Sequence, residues 1–97
     1  MTVNRVAVIV RIEGRVQGVG YRAWVEQSAR AIGLGGWVRN RLDGTVEACF
    51  VGERDHVESQ IARCWEGPRS AAVTQVVVSD APGEIESGGI FLIRPTV

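Results

Sequence analysis

The chain has 97 residues, of which 45% are hydrophobic and 23% charged, and its 11 basic residues balance its 11 acidic ones. A chain of this length folds as one domain, which we place at residues 1–97. The length excludes a second domain. The zero net charge argues against nucleic acid as a partner, because binding a polyanion requires an excess of basic side chains.

Membrane segments and metal sites are not indicated by the sequence. The first apolar run, residues 6–10, is too short for a signal-peptide core or for the roughly 20 residues that span a bilayer. We therefore expect a cytoplasmic protein without a membrane partner. Cys49 and Cys64 lack CxxC spacing and His56 stands alone, which predicts reduced thiols and no metal. The sequence does not specify an oligomeric state, and a monomer is our expectation.

The first predicted elements are a strand and a helix separated by a glycine-containing segment. Apolar residues occupy every second position from Val6 to Ile12, which predicts a strand with one apolar face. After residues 14–20, apolar side chains recur every three or four positions from Tyr21 to Ile32. This spacing predicts a helix over residues 21–32, and the glycines that follow end it.

A predicted hairpin and a second helix come next. Segments 37–42 and 45–51 indicate two antiparallel strands joined through Asp43-Gly44, a dipeptide that accepts the positive φ of a tight turn. A helix over 53–65 follows, ending before Gly67-Pro68. Its apolar stripe has four members: Val57, Ile61, Cys64 and Trp65.

Two more strands complete the pattern, over 73–79 and 90–94, with a loop containing Pro and Gly between them. The order of elements is β, α, β, β, α, β with one short extra strand. This order predicts an α+β, ferredoxin-like βαββαβ sandwich, in which both helices cover one face of an antiparallel sheet of four to five strands. The fold alone does not identify a function, because it supports many unrelated activities.

The segment from Gly14 to Arg22, with the sequence GRVQGVGYR, is the strongest candidate for a binding site. Its three glycines allow successive N–H groups to line one concavity, and the following helix N-terminus adds partial positive charge. Arg22 in the first helical turn can hold phosphate oxygens with a planar fork of donors. The spacing also fits an ordinary turn followed by a solvated arginine.

The same segment partly matches a dinucleotide-binding fingerprint. Residues 18–23 read GxGxxA, and Asp43 lies about 20 positions further on. The match is weak, because Asp43 falls in a predicted hairpin turn and the chain is too short for that fold.

Asn40 ends the segment 36–40, GWVRN, just before the predicted turn, where an asparagine is ordinarily a turn former. A third segment, 43–47, reads DGTVE. The segments 14–22, 36–40 and 43–47 together resemble the signature of the acylphosphatase family in both order and separation. Three features depart from that family pattern: Thr74-Gln75, the apolar Leu42, and the C-terminal Pro95-Thr96-Val97.

The resemblance implies an enzyme that hydrolyses acyl phosphates without metal or cofactor. It implies that Arg22 binds the phosphoryl group and that Asn40 positions the attacking water. The phosphate cradle is then the backbone of five residues: Gln17, Gly18, Val19, Gly20 and Tyr21. Inorganic phosphate is the expected product and competitive inhibitor.

The matched segments contain no side chain suited to act as a nucleophile or as a general acid. An acyl phosphate releases a carboxylate whose conjugate acid has a pKa of about 4, whereas a phosphate ester releases an alkoxide that needs a proton. The segments therefore favour acyl phosphates over esters, although nothing in them identifies the acyl group. The alternatives are a non-catalytic module that binds a phosphorylated metabolite and an RNA-recognition domain, whose aromatic motif is missing here.

Overall fold

The computed structural model describes residues 4–97. The strands and helices are, in chain order, β1 (Arg5–Arg15), α1 (Tyr21–Ala31), β2 (Gly35–Asn40), β3 (Val46–Glu53), α2 (Arg54–Cys64), β4 (Ala72–Asp80) and β5 (Phe91–Ile93). Every predicted element is present, although its ends differ by a few residues. The predicted loop between the last two strands contains a 3₁₀ helix, Pro82–Ser87. Neither α-helix in the described part of the chain is long and apolar enough to cross a bilayer.

The five strands form one sheet in the order β4-β1-β3-β2-β5. The first four pair antiparallel, in the predicted ferredoxin-like order. The prediction of a wholly antiparallel sheet is wrong at one edge, where β5 pairs parallel to β2. After β4 the chain reverses through Pro82–Ser87, which contacts β1 and β3. The chain then forms β5 at the edge of the sheet opposite β4. Because β5 runs in the direction opposite to β4, it is parallel to β2.

The main core lies between the sheet and the two helices. Alternate residues of β1 (Val8, Val10 and Ile12) are buried there, together with residues of α1 and α2. Their neighbours point to the other face of the sheet, as the period of a strand requires. On that helix-free face, Ala7 and Trp37 belong to a second, smaller apolar cluster.

The buried stripe of α2 differs from its prediction. Val57 and Cys64 are buried as expected, but Trp65, the residue after the helix, is 49% exposed. Gln60 is fully buried instead. Its side-chain carbonyl accepts a hydrogen bond of 2.8 Å from the Ser28 hydroxyl of α1, so a polar contact joins the two helices inside the core.

We expect Ser28→Ala to lower the free energy of unfolding by ~1–3 kcal/mol, because it leaves the buried Gln60 carbonyl without its donor. The double variant Ser28→Ala/Gln60→Leu should recover most of this loss, since it removes both polar groups together. Urea unfolding of the three proteins provides the measurement. A double variant less stable than Ser28→Ala would contradict this account of the contact.

Candidate active site

The candidate site begins where β1 leaves the sheet. β1 pairs with β3 from Arg5 to Ile12 and with β4 from Val8 to Arg15. The segment after Arg15 therefore starts from the end of a strand that is still paired with β4. Five residues, 16–20, form the phosphate-loop candidate between Arg15 and Tyr21, the first residue of α1, so both of its ends are attached to regular structure.

Two glycines give this loop its shape. Gly18 and Gly20 have φ values of 73° and 81°, a left-handed conformation that other residues adopt only with strain. Gly20 precedes α1, and no side chain caps the helix and no acidic residue lies in its first turn. Within residues 4–97, the N–H groups of residues 16–20 donate to no backbone carbonyl. These N–H groups, with those of the first helical turn, are suited to an anion.

A cavity of about 250 Å³ opens beside the loop. Its lining comprises Val16, Gly18, Gly20, Tyr21, Arg22, Ala23, Asn40 and Ile93. The fold thus brings Arg22 and Asn40, which lie on different elements, to the same space as the loop glycines. Of the predicted cradle residues, Gln17 and Val19 do not line this cavity. Among the described residues, Arg22 forms no ion pair with a carboxylate, so its charge is not neutralised by the protein around it.

Asn40 is the last residue of β2, opposite Val46 of β3. The C-terminal segment runs along its other side: the backbone N–H of Val97 donates to the Asn40 carbonyl at 3.3 Å, and Leu42 N–H donates to the Val97 carbonyl at 2.8 Å. The side-chain Oδ1 of Asn40 is buried, and no donor within the described residues reaches it. A buried acceptor of this kind ordinarily has a partner, and a water molecule in the cavity can donate to it.

Gln17 contacts the hairpin instead of the cavity. Its Nε2 donates to the carbonyl of Arg41 and to the carbonyl of Thr45, each at 2.8 Å. The side chain therefore connects the loop to the turn that follows Asn40. The sequence indicates only a backbone role for Gln17, because spacing along the chain does not show which carbonyls lie across from a side chain.

The site contains donors but no group that titrates near neutral pH. Among the residues that the structure describes, no Asp, Glu, His or Cys lines the cavity. The Tyr21 hydroxyl donates to the backbone carbonyl of Cys64 at 2.6 Å. Burial, followed by its contact with Cys64, raises the pKa of Tyr21 far above its ordinary value. The arrangement can hold and orient an anion, but it cannot readily supply a proton to a leaving group.

Neither cysteine is a candidate nucleophile. Both are free and buried. Burial raises the pKa of Cys49 to about 11 and that of Cys64 to about 12, so both are thiols at neutral pH. In the described part of the chain, no group of three or more His, Cys, Asp or Glu residues is arranged to hold a metal ion.

Another cavity, of about 430 Å³, lies near the opposite end of β1. Its wall is largely apolar, and charges of both signs, from Arg5, Arg54, Glu58 and Asp80, border it. None of the candidate residues lines it, and its mixed charges do not favour a phosphate.

Comparison with known proteins gives a consistent result. A family model described as acylphosphatase matches residues 8–91. The acylphosphatase of Bradyrhizobium diazoefficiens is 50% identical, over 97% of this chain and 99% of that protein. The acylphosphatase of Rhizorhabdus wittichii is 46% identical, over 97% and 93%. Among solved structures, an acylphosphatase from Coxiella burnetii superposes with a TM-score of 0.88 at 36% identity and covers 94% of each chain.

We expect the two thiols to be unreactive in the folded protein. Because their pKa values of about 11 and about 12 leave little thiolate at pH 7.5, iodoacetamide should modify neither cysteine, and turnover of an acyl phosphate should persist. The same treatment in urea should modify both, as mass spectrometry can show. Alkylation of the folded protein accompanied by loss of turnover would instead implicate a thiolate in the reaction.

Proposed function

The chain belongs to the acylphosphatase family, and we propose that it hydrolyses its substrate through a phosphoryl group bound by Arg22 and a water molecule oriented by Asn40. The reaction converts an acyl phosphate into a carboxylate and inorganic phosphate. The observation that carries the proposal is that Arg22, Asn40 and the loop glycines line one cavity. The curated relatives are named acylphosphatases, which favours catalysis over the alternative of a non-catalytic binding module.

Arg22 and the loop hold the transferring group. The guanidinium of Arg22 offers parallel N–H donors to two phosphoryl oxygens. The loop N–H groups and the N-terminal end of α1 stabilise the remaining negative charge, and Gly18, Gly20 and Tyr21 line the cavity where it would lie. Phosphoryl transfer passes through a loose transition state with charge on the peripheral oxygens, so positioning and charge stabilisation supply most of the catalysis.

Asn40 orients the nucleophile. Its buried Oδ1, which has no donor among the described residues, accepts a hydrogen bond from water and directs the water oxygen at phosphorus. An amide is too weak a base to take the proton, so a phosphoryl oxygen of the substrate receives it. As the new P–O bond forms, the bond to the acyl oxygen breaks, and its electron pair leaves with the carboxylate.

The absence of an acid from the cavity lining fits this leaving group. A carboxylate departs without protonation at neutral pH, because its conjugate acid has a pKa of about 4. An alkoxide from a phosphate ester would require a proton donor in the site. The same lining therefore selects for activated phosphates. The cytoplasmic location and the monomeric state stay predictions.

We expect Arg22→Gln to lower turnover by ~10²–10³-fold, the usual effect of removing a preorganised charged donor. The variant should also bind inorganic phosphate more weakly, measured as the competitive inhibition constant. Arg54→Gln is the matched control, because Arg54 opens the first turn of α2 and borders the other cavity. Equal activity of Arg22→Gln and Arg54→Gln would exclude the proposed role of Arg22.

Asn40→Ala should lower kcat by ~10²-fold while KM changes little, because the hydrogen bond to the attacking water matters mainly in the transition state. The inhibition constant of phosphate should also stay close to that of the unmodified enzyme. Steady-state kinetics with a generic acyl phosphate, in buffer containing a chelator, provide the measurement. A large rise in KM with unchanged kcat would assign Asn40 to substrate binding instead.

A further inference from the structure

Gln17 lies in the phosphate-loop candidate, but its side chain is hydrogen-bonded to the hairpin turn between β2 and β3. Its two hydrogen bonds, to the carbonyls of Arg41 and Thr45 at 2.8 Å each, account for both hydrogens of its amide nitrogen. They are the only side-chain hydrogen bonds within residues 4–97 that join the loop to the hairpin turn.

The two acceptors lie on either side of the hairpin turn next to Asn40. Arg41 is the residue after Asn40, and Thr45 precedes Val46, the strand partner of Asn40. The backbone also closes this turn, since Arg41 N–H donates to the Thr45 carbonyl at 2.9 Å. A side chain that holds both carbonyls therefore sets the position of the end of β2 relative to the loop.

We propose that Gln17 is a positioning residue that aligns the water held by Asn40 with the phosphoryl group held by the loop. This inference rests on the proposed function of Asn40 and Arg22. Reacting atoms must approach to about 3–3.5 Å in line, and a misplacement of 1 Å can cost ~10² in rate. The phosphate is held by Arg22 and the loop amides, whereas the Gln17 hydrogen bonds hold the hairpin that carries Asn40. Loss of these hydrogen bonds therefore affects the alignment of the water more than the binding of phosphate.

The test compares Gln17→Met in two backgrounds. Met preserves the length of the side chain but donates no hydrogen bond. In the unmodified enzyme, we expect a loss of about tenfold or more in kcat and an inhibition constant for inorganic phosphate within about twofold. In the Asn40→Ala background, the same change should cost less than about twofold, because the aligned water is already lost.

Gln75→Met is the matched control. Gln75 lies exposed on the edge strand β4 and forms no side-chain hydrogen bond within the described residues. The substitution should leave kcat unchanged in both backgrounds. Gln17→Asn provides a second variant if Gln17→Met does not fold: it keeps both donors but is shorter by one methylene, so we expect the same non-additive pattern with a smaller loss.

Three results would overturn the proposal. They are an equal loss of kcat in both backgrounds, a rise in the phosphate inhibition constant that matches the loss of kcat, and unchanged kcat in both Gln17 variants. A different result would show that Asn40 does not orient the water: Asn40→Ala would then retain full turnover with Gln17 in place.

Discussion

Strand β1 is hydrogen-bonded to β3 on one side and to β4 on the other, and the candidate site depends on this double pairing. Residues 8–12 of β1 pair on both sides and residues 13–15 pair with β4 alone, so the loop that follows starts from a strand fixed in the middle of the sheet. At its other end the loop enters α1, where Tyr21 and Val25 are buried in the main core. Structure outside the loop holds both of its ends, and within residues 4–97 its N–H groups donate to no backbone carbonyl.

The second fixed point is the hairpin that carries Asn40. On the helix-free face, Glu47 of β3 accepts hydrogen bonds from Arg39 at 2.8 Å and from Arg41 at 3.3 Å. The guanidinium of Arg39 also lies 4.6 Å from the centre of the Trp37 ring, a favourable contact between a cation and an aromatic face. These contacts support the hairpin from the face opposite the helices, and the Gln17 side chain joins it to the loop.

The chemistry of the site follows from the kinds of group that the fold leaves in it. The hydroxyl of Tyr21 is occupied by the Cys64 carbonyl, and burial raises the pKa of both thiols. What remains around the cavity is one guanidinium, one side-chain amide and backbone N–H groups. Such a set stabilises negative charge without transferring protons, which suits a substrate whose leaving group is already a stable anion.

Much of this protein is determined locally, by the sequence itself. The period of two locates β1, the period of three to four locates α1 and α2, and the Asp43-Gly44 dipeptide indicates the hairpin. The glycines between β1 and α1 mark the loop. The residues present in the three matched segments also limit the chemistry, because a missing acid or nucleophile is visible without a structure. Side-chain periodicity and turn composition depend on neighbours in the chain, so they can be recognised from the sequence alone.

The tertiary structure decided what depends on residues far apart in the chain. It placed β5 parallel to β2, buried Gln60 against Ser28, and exposed Trp65. It also placed the side chain of Gln17 against carbonyls 24 and 28 positions away, and brought Asn40 to the cavity that Arg22 lines. No local pattern encodes these contacts, because each depends on how the separate elements pack together.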